Sequence, residues 1–304
     1  MSTEPLFSIV TPCLNRAAFI GQAVTSVMEQ GVANFEHIIV DGGSTDGTLE
    51  ILNRFPHLTV ISEKDENLYQ ALNKGILASK GKIIGHLNSD DRYPPGALQA
   101  VAEAFERQHD LDTVYGYCDI YHHVSATERQ LYKRYTETGL SLPSITLGVS
   151  STNARFFSRA AYKRIGLYDE SYRIAGDREF LLRAFQQNLK SVKLDQPLYD
   201  YGSHAGSLTI ASNGGMKVST AKEYVAIAEA HLAKTDIATT HKAMKNWIEN
   251  TCCLSIIQAL KAWEPQTMAF FLSTGIKHNL AFPLNFVRHI LVNKTKVWLD
   301  KNAR

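Results

Sequence analysis

The first hundred or so residues of this 304-residue chain repeat one pattern four times: a short apolar run of strand length, then apolar positions at helical spacing. Phe7 to Thr11 precedes Phe19, Ile20, Ala23, Val24, Val27 and Met28, and His37 to Val40 precedes Leu49, Leu52 and Phe55. Leu58 to Ile61 precedes Leu68, Ala71, Leu72 and Ile76, and Ile83, Ile84 and Leu87 precede a helix from Leu98 to Phe105. Few folds accept such repetition. Right-handed crossovers return each strand parallel to the last and leave helices on both faces of the sheet. The expected class is α/β, with a Rossmann-like, mostly parallel sheet whose ligands gather at the carboxyl ends of the strands.

The sequence at those ends agrees. The first run is followed by Thr11, Pro12, Cys13, Leu14, Asn15 and Arg16, the second by Asp41 in a Gly-rich turn, the third by Asp65, and the fourth by Asn88, Ser89, Asp90 and Asp91 before Pro94 and Pro95. Three of the four ends therefore carry acid at one edge of the sheet. Adjacent carboxylates suit Mg²⁺ or Mn²⁺, which need only one or two when substrate phosphates supply further oxygens. Taken alone, the same turn also reads as a polar stop in which Asp91 caps the helix beginning near Gly96. No Gly-x-Gly-x-x-Gly follows the first strand and no Gly-x-x-x-x-Gly-Lys-Ser/Thr occurs, which disfavours a dinucleotide dehydrogenase and a P-loop NTPase.

Farther on, Val114 to Tyr121 reads as a strand leading into a hairpin or exposed edge, and Gly139 to Asn153 as a loop. A helix opens at Gly176, with Asp177 where an N-cap or first-turn acid belongs. A strand at Val192 to Leu194 gives way to Pro197 and then to His204. From about Asn213 the pattern is helical, so the expected units are residues 1–212 and 213–304. Met244, Trp247, Ile248, Thr251, Cys252, Ser255, Ile256, Ala259 and Leu260 trace a packing stripe, and Thr220 with Glu223 has capping-box spacing. The carboxyl end carries Lys277, Arg288, Lys294, Lys296, Lys301 and Arg304 against Asp300, beside Leu284, Val287, Ile290, Leu291 and Trp298. Such a segment suits either an anionic membrane surface or a solvated helix packed on its own domain.

A formal net charge of +2 gives no bulk attraction for nucleic acid. Four cysteines without a Cys-x-x-Cys pair indicate neither a zinc site nor a disulfide framework. With no signal-like amino terminus and no apolar run of membrane-spanning length, the expected location is the cytoplasm, with peripheral contact at the inner membrane face left open.

Six segments in order, SIVTPCLNR, EHIIVDGGSTDGT, SEKDENLYQALNKGI, GKIIGHLNSDDRYPPGAL, GLYDESYRIAGDREFLLR and the late His204, resemble the inverting nucleotide-sugar glycosyltransferases of family 2, which have the GT-A fold. The resemblance runs from about Phe7 to Thr209, and the LNSDD and LNKGI forms look most like the bacterial branch that builds O-antigen, capsule and exopolysaccharide. It implies a nucleoside-diphosphate sugar donor, a glycan or lipid-linked acceptor, and Mn²⁺ or Mg²⁺ as cofactor. Thr11, Pro12, Asn15, Arg16, Asp41, Asp65, Asn73, Lys74, Asn88 and Ser89 are the implied donor-binding positions. Asp90, with Asp91 and His204, is the implied metal set, and Asp177 the implied catalytic base. His204 equally suits an ordinary loop histidine.

The chain departs from the family pattern at Asn88, where an Asp is commoner, at Gly176, where many relatives have Glu, and at Asn67 and Gln70. These differences bear on donor identity. A scaffold that keeps the fold without turnover is the alternative, and the helical region leaves open a membrane surface, a partner subunit or a second copy of the chain.

Overall fold

The computed structural model describes residues 4–123, 129–136, 139–148, 152–203 and 216–288. The chain divides into two compact units, Met1–Ser207 and Leu208–Arg304.

The first unit opens with β1 (Phe7–Cys13), α1 (Ile20–Met28), β2 (Phe35–Asp41), α2 (Thr48–Leu52), β3 (Leu58–Ser62), α3 (Leu68–Ala78), β4 (Ile83–His86) and α4 (Ala97–Arg107). β1 pairs in parallel with both β2 and β4, and β2 with β3. Every residue of β1 is buried, as befits a strand covered on both faces. On one face Phe7 and Ile9 pack with Ala23 and Val27 of α1 and with Leu98 and Val101 of α4. On the other, Ile38 and Val40 meet Ala71 of α3. Burying each such large side chain contributes about 1.5–3 kcal/mol.

The sheet continues through β5 (Thr113–His123), β6 (Arg129–Tyr135), β7 (Arg155–Ser158) and β8 (Ser191–Ser203). β7 inserts antiparallel between β4 and β5, and β6, where a hairpin or an exposed edge was expected, pairs antiparallel with β5 at the end of the strand order. β8 pairs in parallel with β5 from Thr113 to His122, so β7 and β6 share β5's other edge. The expected end of this last strand near Pro197 is corrected. β8 runs through Pro197, which faces Tyr117 where the register shifts, and a bulge is where a missing N–H is tolerated. Within the expected loop at 139–153 lies a short helix, α5 (Leu142–Thr146), capped by Ser141 and anchored by buried Ile145. Two further helices, α6 (Arg159–Ile165) and α7 (Gly176–Gln186), complete the unit.

The second unit contains α8 (Val218–Leu232), α9 (Ala238–Ala262) and α10 (Pro265–His278), with α9 packed against the other two. The α9 stripe from Met244 to Ala259 is buried as expected, while Leu260 is exposed. Thr220 lies inside α8 rather than capping it, since Lys217 holds the N-cap position. Among the described residues no helix is long and apolar enough to cross a membrane. Ile290, Leu291, Lys294, Lys296, Trp298, Asp300, Lys301 and Arg304 lie outside the described residues.

Candidate active site

The carboxyl ends of β1, β2, β3 and β4 lie side by side, since these strands are neighbours in the order β3, β2, β1, β4. Asp41 ends β2 and is fully buried. Its carboxylate accepts hydrogen bonds from the N–H groups of Gly43 and Ser44 and from the Ser62 hydroxyl, at 3.1, 3.0 and 2.8 Å. Burial alone would raise its pKa, but these donors outweigh burial and hold the carboxyl below the usual range. The loops after β1 and β2 are stitched together. Asn15 donates its N–H to Ser44 Oγ and accepts at Oδ1 from Thr45 N–H, at 2.8 and 2.9 Å, while Asp46 Oδ2 accepts from Ala17 N–H. Asn15 sits at φ +53°, a conformation Asn tolerates better than most side chains. Arg16 N–H donates to Thr48 Oγ1.

Thr11 and Pro12 are buried in β1. The Thr11 hydroxyl lies 2.9 Å from His37 Nε2, so it is used inside the sheet rather than at its mouth. Asp65, after β3, pairs with Lys74 at 2.7 Å through Oδ1, and Lys74 also reaches Glu63 at 2.7 Å. Asp65 Oδ2 is buried without a hydrogen bond and stands 3.7 Å from where a Cβ on Gly42 would lie. Beside Gly42, just past the carboxyl end of β2, this acceptor has no hydrogen-bond partner among the described residues, and a buried polar atom left so carries a free-energy cost.

The turn after β4 separates its two acids. Asp91 is buried, and its carboxylate accepts from the Tyr199 hydroxyl at 2.6 Å, Gly202 N–H at 2.7 Å and the Asn88 amide at 2.9 Å. Burial, reinforced by the charge of Asp90, pushes its carboxyl up to about 8, against the pull of those three donors. Asp91 does not cap the following helix, whose N-cap is Gly96. Asp90 is half-buried, Asn88 is half-buried and Ser89 is buried. Asp90, the more accessible carboxylate, has the oxygen chemistry that suits a hard divalent cation, whereas both oxygens of Asp91 already accept hydrogen bonds from the protein. His204 lies outside the described residues. Among the described residues no cluster of three or more His, Cys, Asp or Glu side chains forms a metal site.

Asp177 is half-buried in the first turn of α7, after the N-cap residue Ala175. The approach of α7 to the sheet is fixed by aromatic packing. Tyr168 stacks on Tyr69 at 5.5 Å and on Phe180 at 4.5 Å, and its hydroxyl meets His86 Nδ1 at 3.1 Å. The Tyr69 hydroxyl donates to Ile174 O at 2.6 Å. A Cβ on Gly176 would come within 2.8 Å of the Tyr69 ring, which explains why this chain has Gly beside Asp177. Asn73 is not at the open edge. It is buried on α3, its amide donating to Tyr168 O and Glu170 Oε1 and its oxygen accepting from Tyr168 N–H. Asn67 caps α3 and also donates to Glu170 O, so its difference from the family pattern has a structural use.

One edge of the sheet therefore gathers Asn15, Arg16, Asp41, Asp65, Lys74 and the Asn88–Asp91 turn, with α7 carrying Asp177 tied to α3 and β4 by the tyrosines. Residues 8–166 match the model of glycosyl transferase family 2. The chain belongs to this family. It is a glycosyltransferase. It is 31% identical over 195 residues to a PGL/p-HBAD biosynthesis glycosyltransferase of Mycobacterium bovis, covering 60% of this chain and 70% of that one. It is 30% identical over 222 residues to the uncharacterized glycosyltransferase EpsJ of Bacillus subtilis, covering 67% and 63%. Among solved structures, S. aureus TarS 1–349 in complex with UDP superposes with a TM-score of 0.59 at 16% identity, covering 92% of this chain and 91% of that one. The mannosyltransferase PcManGT from Pyrobaculum calidifontis, in complex with GDP-Man and Mn²⁺, superposes at 0.57 and 14% identity, covering 90% and 87%. The chain spans 43% of a longer TarS structure of the same fold. These likenesses establish the GT-A fold.

The sequence reading did not single out Tyr199, Gly202 or Tyr69. Tyr199 lies in the strand that had been expected to end near Pro197, and Tyr69 sits at an apolar helix position that reads as core.

Proposed function

We propose that the family 2 enzyme moves a sugar from a nucleoside-diphosphate donor to a glycan or lipid-linked acceptor of bacterial surface polysaccharide, with inversion at the anomeric carbon and dependence on a divalent metal. The observation that carries this reading is the alignment of Asp41, Asp65 and Asp90 at one edge of neighbouring parallel strands, with Asp65 Oδ2 buried and unpaired. That oxygen suits a base N–H or ribose hydroxyl, while Asn15, Arg16, Asp41 and Lys74 border the same mouth. Thr11, Pro12 and Asn73 support the mouth from within. Asn88 and Ser89 meet the diphosphate, and Asp90, with Asp91 behind it and His204 as a further ligand, would hold Mn²⁺ or Mg²⁺. When bound, that ion supplies charge neutralisation for the departing diphosphate.

Asp177 takes the proton from an acceptor hydroxyl. The freed oxygen forms its bond to the anomeric carbon as the bond from that carbon to the diphosphate oxygen breaks on the opposite side, and the electron pair leaves with the nucleoside diphosphate. Such general-base assistance typically contributes about 10²- to 10⁴-fold. The helical unit exposes Leu280, Leu284 and Val287 near Arg288, which supports peripheral contact with an anionic membrane face.

The test is a panel of nucleotide sugars incubated with a lipid-linked acceptor extract and Mn²⁺, read by mass spectrometry with and without EDTA. Transfer from one donor, abolished by EDTA and competed by the matching nucleoside diphosphate, is expected. Absence of binding to every nucleoside diphosphate would sink the reading.

A further inference from the structure

Next to the turn that carries Asp90 and Asp91 lies a cavity of about 340 Å³ between α1 and residues Arg92 to Pro95, within the size range of small-molecule sites, roughly 300–1,000 Å³. Its wall is firmly built. Tyr93 N–H donates to Ser26 Oγ at 3.2 Å, Gln30 donates to Pro94 O at 3.1 Å, and Leu98 N–H donates to Gln30 Oε1 at 3.1 Å. Arg92 and Asp200 exchange backbone hydrogen bonds at 3.0 and 2.9 Å, which ties the wall to β8. Side chains alternate across a strand, so Tyr199 turns to Asp91 while its neighbour Asp200 lines this cavity.

Two guanidiniums face Asp200. Arg129 Nη2 meets Asp200 Oδ2 at 3.3 Å, with the Asp200 side chain only 8% exposed, and Arg129 also lies over the Tyr121 ring at 4.6 Å. The half-buried Arg92 guanidinium makes no hydrogen bond among the described residues, and Asp200 Oδ1 is buried without one. Burial and the charge of Arg129 hold Arg92 below the usual guanidinium range against the opposing pull of Asp200, so the two guanidiniums share one carboxylate. Glu29 lines the rim from the exposed side of α1. The interior therefore asks for two things at once: an oxyanion for Arg92, which guanidinium geometry suits, and a hydroxyl to donate to Asp200 Oδ1.

We propose that this cavity is an acceptor subsite for an acidic sugar unit, its carboxylate or phosphate facing Arg92 and Arg129 and a ring hydroxyl donating to Asp200 Oδ1. The assignment rests on the glycosyl-transfer reading of the adjacent edge and names the class of glycan that edge extends. A neutral sugar leaves two guanidiniums sharing the one carboxylate of Asp200, and a bare anion leaves Asp200 Oδ1 without a donor.

The test is ligand-observed NMR titration of the full chain with glucuronate, glucose 6-phosphate, glucose and inorganic phosphate, with UDP and GDP run on the same samples. At least one sugar acid is expected to bind about tenfold or more tightly than glucose and than inorganic phosphate. Binding of glucuronate alone marks a uronic acid unit, of glucose 6-phosphate alone a phosphorylated one, and both together the shared oxyanion chemistry. Arg92→Met is expected to weaken that binding about tenfold or more while retaining UDP or GDP binding. The thermal midpoint of Arg92→Met checks that it is folded, and Arg129→Met, expected to weaken the same binding, provides a second variant. Equal binding of glucose and the acids, inorganic phosphate binding as well as the acids, or unchanged affinity in folded Arg92→Met overturns the assignment. Loss of nucleoside diphosphate binding in the wild type would instead overturn the donor-site reading.

Discussion

Tyr199 and Asp91, 108 residues apart in the chain, share a buried hydrogen bond of 2.6 Å. The same hydroxyl accepts from Asn88 N–H at 3.0 Å, so one phenol fixes both ends of the acidic turn from the last strand of the sheet. Tyr199→Phe keeps the ring packing and removes both bonds. Leaving a buried hydrogen-bonding partner unsatisfied typically costs about 1–3 kcal/mol. The variant is expected to show that loss in urea denaturation, together with weaker Mn²⁺ activation. An unchanged denaturation midpoint and unchanged Mn²⁺ activation would show the turn is held without it.

Asn88 is the position where the chain leaves the commoner acidic pattern, and its amide donates to Asp91 Oδ2 at 2.9 Å. A carboxylate there has no proton to donate and adds repulsion to a buried acid. Asn88→Asp is therefore expected to lower stability by about 1.5 kcal/mol or more in EDTA, with Mn²⁺ restoring part of the loss. Thermal unfolding with and without metal reads both effects.

Much of the fold was open to reading because its signals are local. Four runs of strand and helix spacing, closed by polar turns, specify parallel strands whichever residues fill them. The antiparallel insertion of β7 between β4 and β5 has no such signal, since the pairing of Ile84 with Phe157 depends on a contact across more than 70 residues of chain. The site divides in the same way. Asp41, Asp65 and Asp90 are visible as acids at strand ends. The inward turn of Asp91 depends on Tyr199 and Gly202, which sequence spacing cannot place beside it. Asn73 has the chemistry of a donor-binding residue, but the loop at Tyr168 to Glu170 takes both ends of its amide.

Gly176→Ala tests the position of Asp177 without touching its carboxyl. The added methyl would meet the Tyr69 ring at 2.8 Å, and relieving it displaces either the ring or the start of α7. Overpacking of this kind typically costs about 1–3 kcal/mol. A stability loss in that range accompanied by reduced turnover is expected, whereas full turnover would show that α7 tolerates the shift. Paired measurement of the thermal midpoint and the transfer rate distinguishes the two.

His37 and His86 are both fully buried, and burial pushes each imidazole down to about 3, with the charge of His57 adding to the effect on His37. In the unfolded chain each binds a proton near the ordinary value of about 6.5. Below that value the unfolded state holds more protons than the folded one, so stability falls as pH falls, until the folded pKa near 3 is reached. Each histidine contributes a slope of about 1.4 kcal/mol per pH unit in this window. Urea midpoints from pH 7.5 to pH 5 should drop accordingly and stay flat from pH 7.5 to pH 8.5 as far as these two groups are concerned.

Asp177 separates capping from chemistry. It stands in the first turn of α7, where an acid interacts favourably with the helix N-terminus, and Asn at that position loses the charge while keeping the size. A purely structural acid predicts that Asp177→Asn loses up to about 1 kcal/mol of stability with turnover nearly intact. A general base predicts a fall of about 10²- to 10⁴-fold in transfer rate, with nucleoside diphosphate affinity preserved because the proposed donor site lies at the strand ends. The deciding measurement is single-turnover transfer at saturating donor, alongside nucleoside diphosphate binding and the thermal midpoint of the same preparation. The expected result is a folded protein that binds donor product at wild-type affinity and transfers sugar at least a hundredfold more slowly. A folded variant transferring at near wild-type rate removes Asp177 from the chemistry and leaves it as a helix-terminus acid.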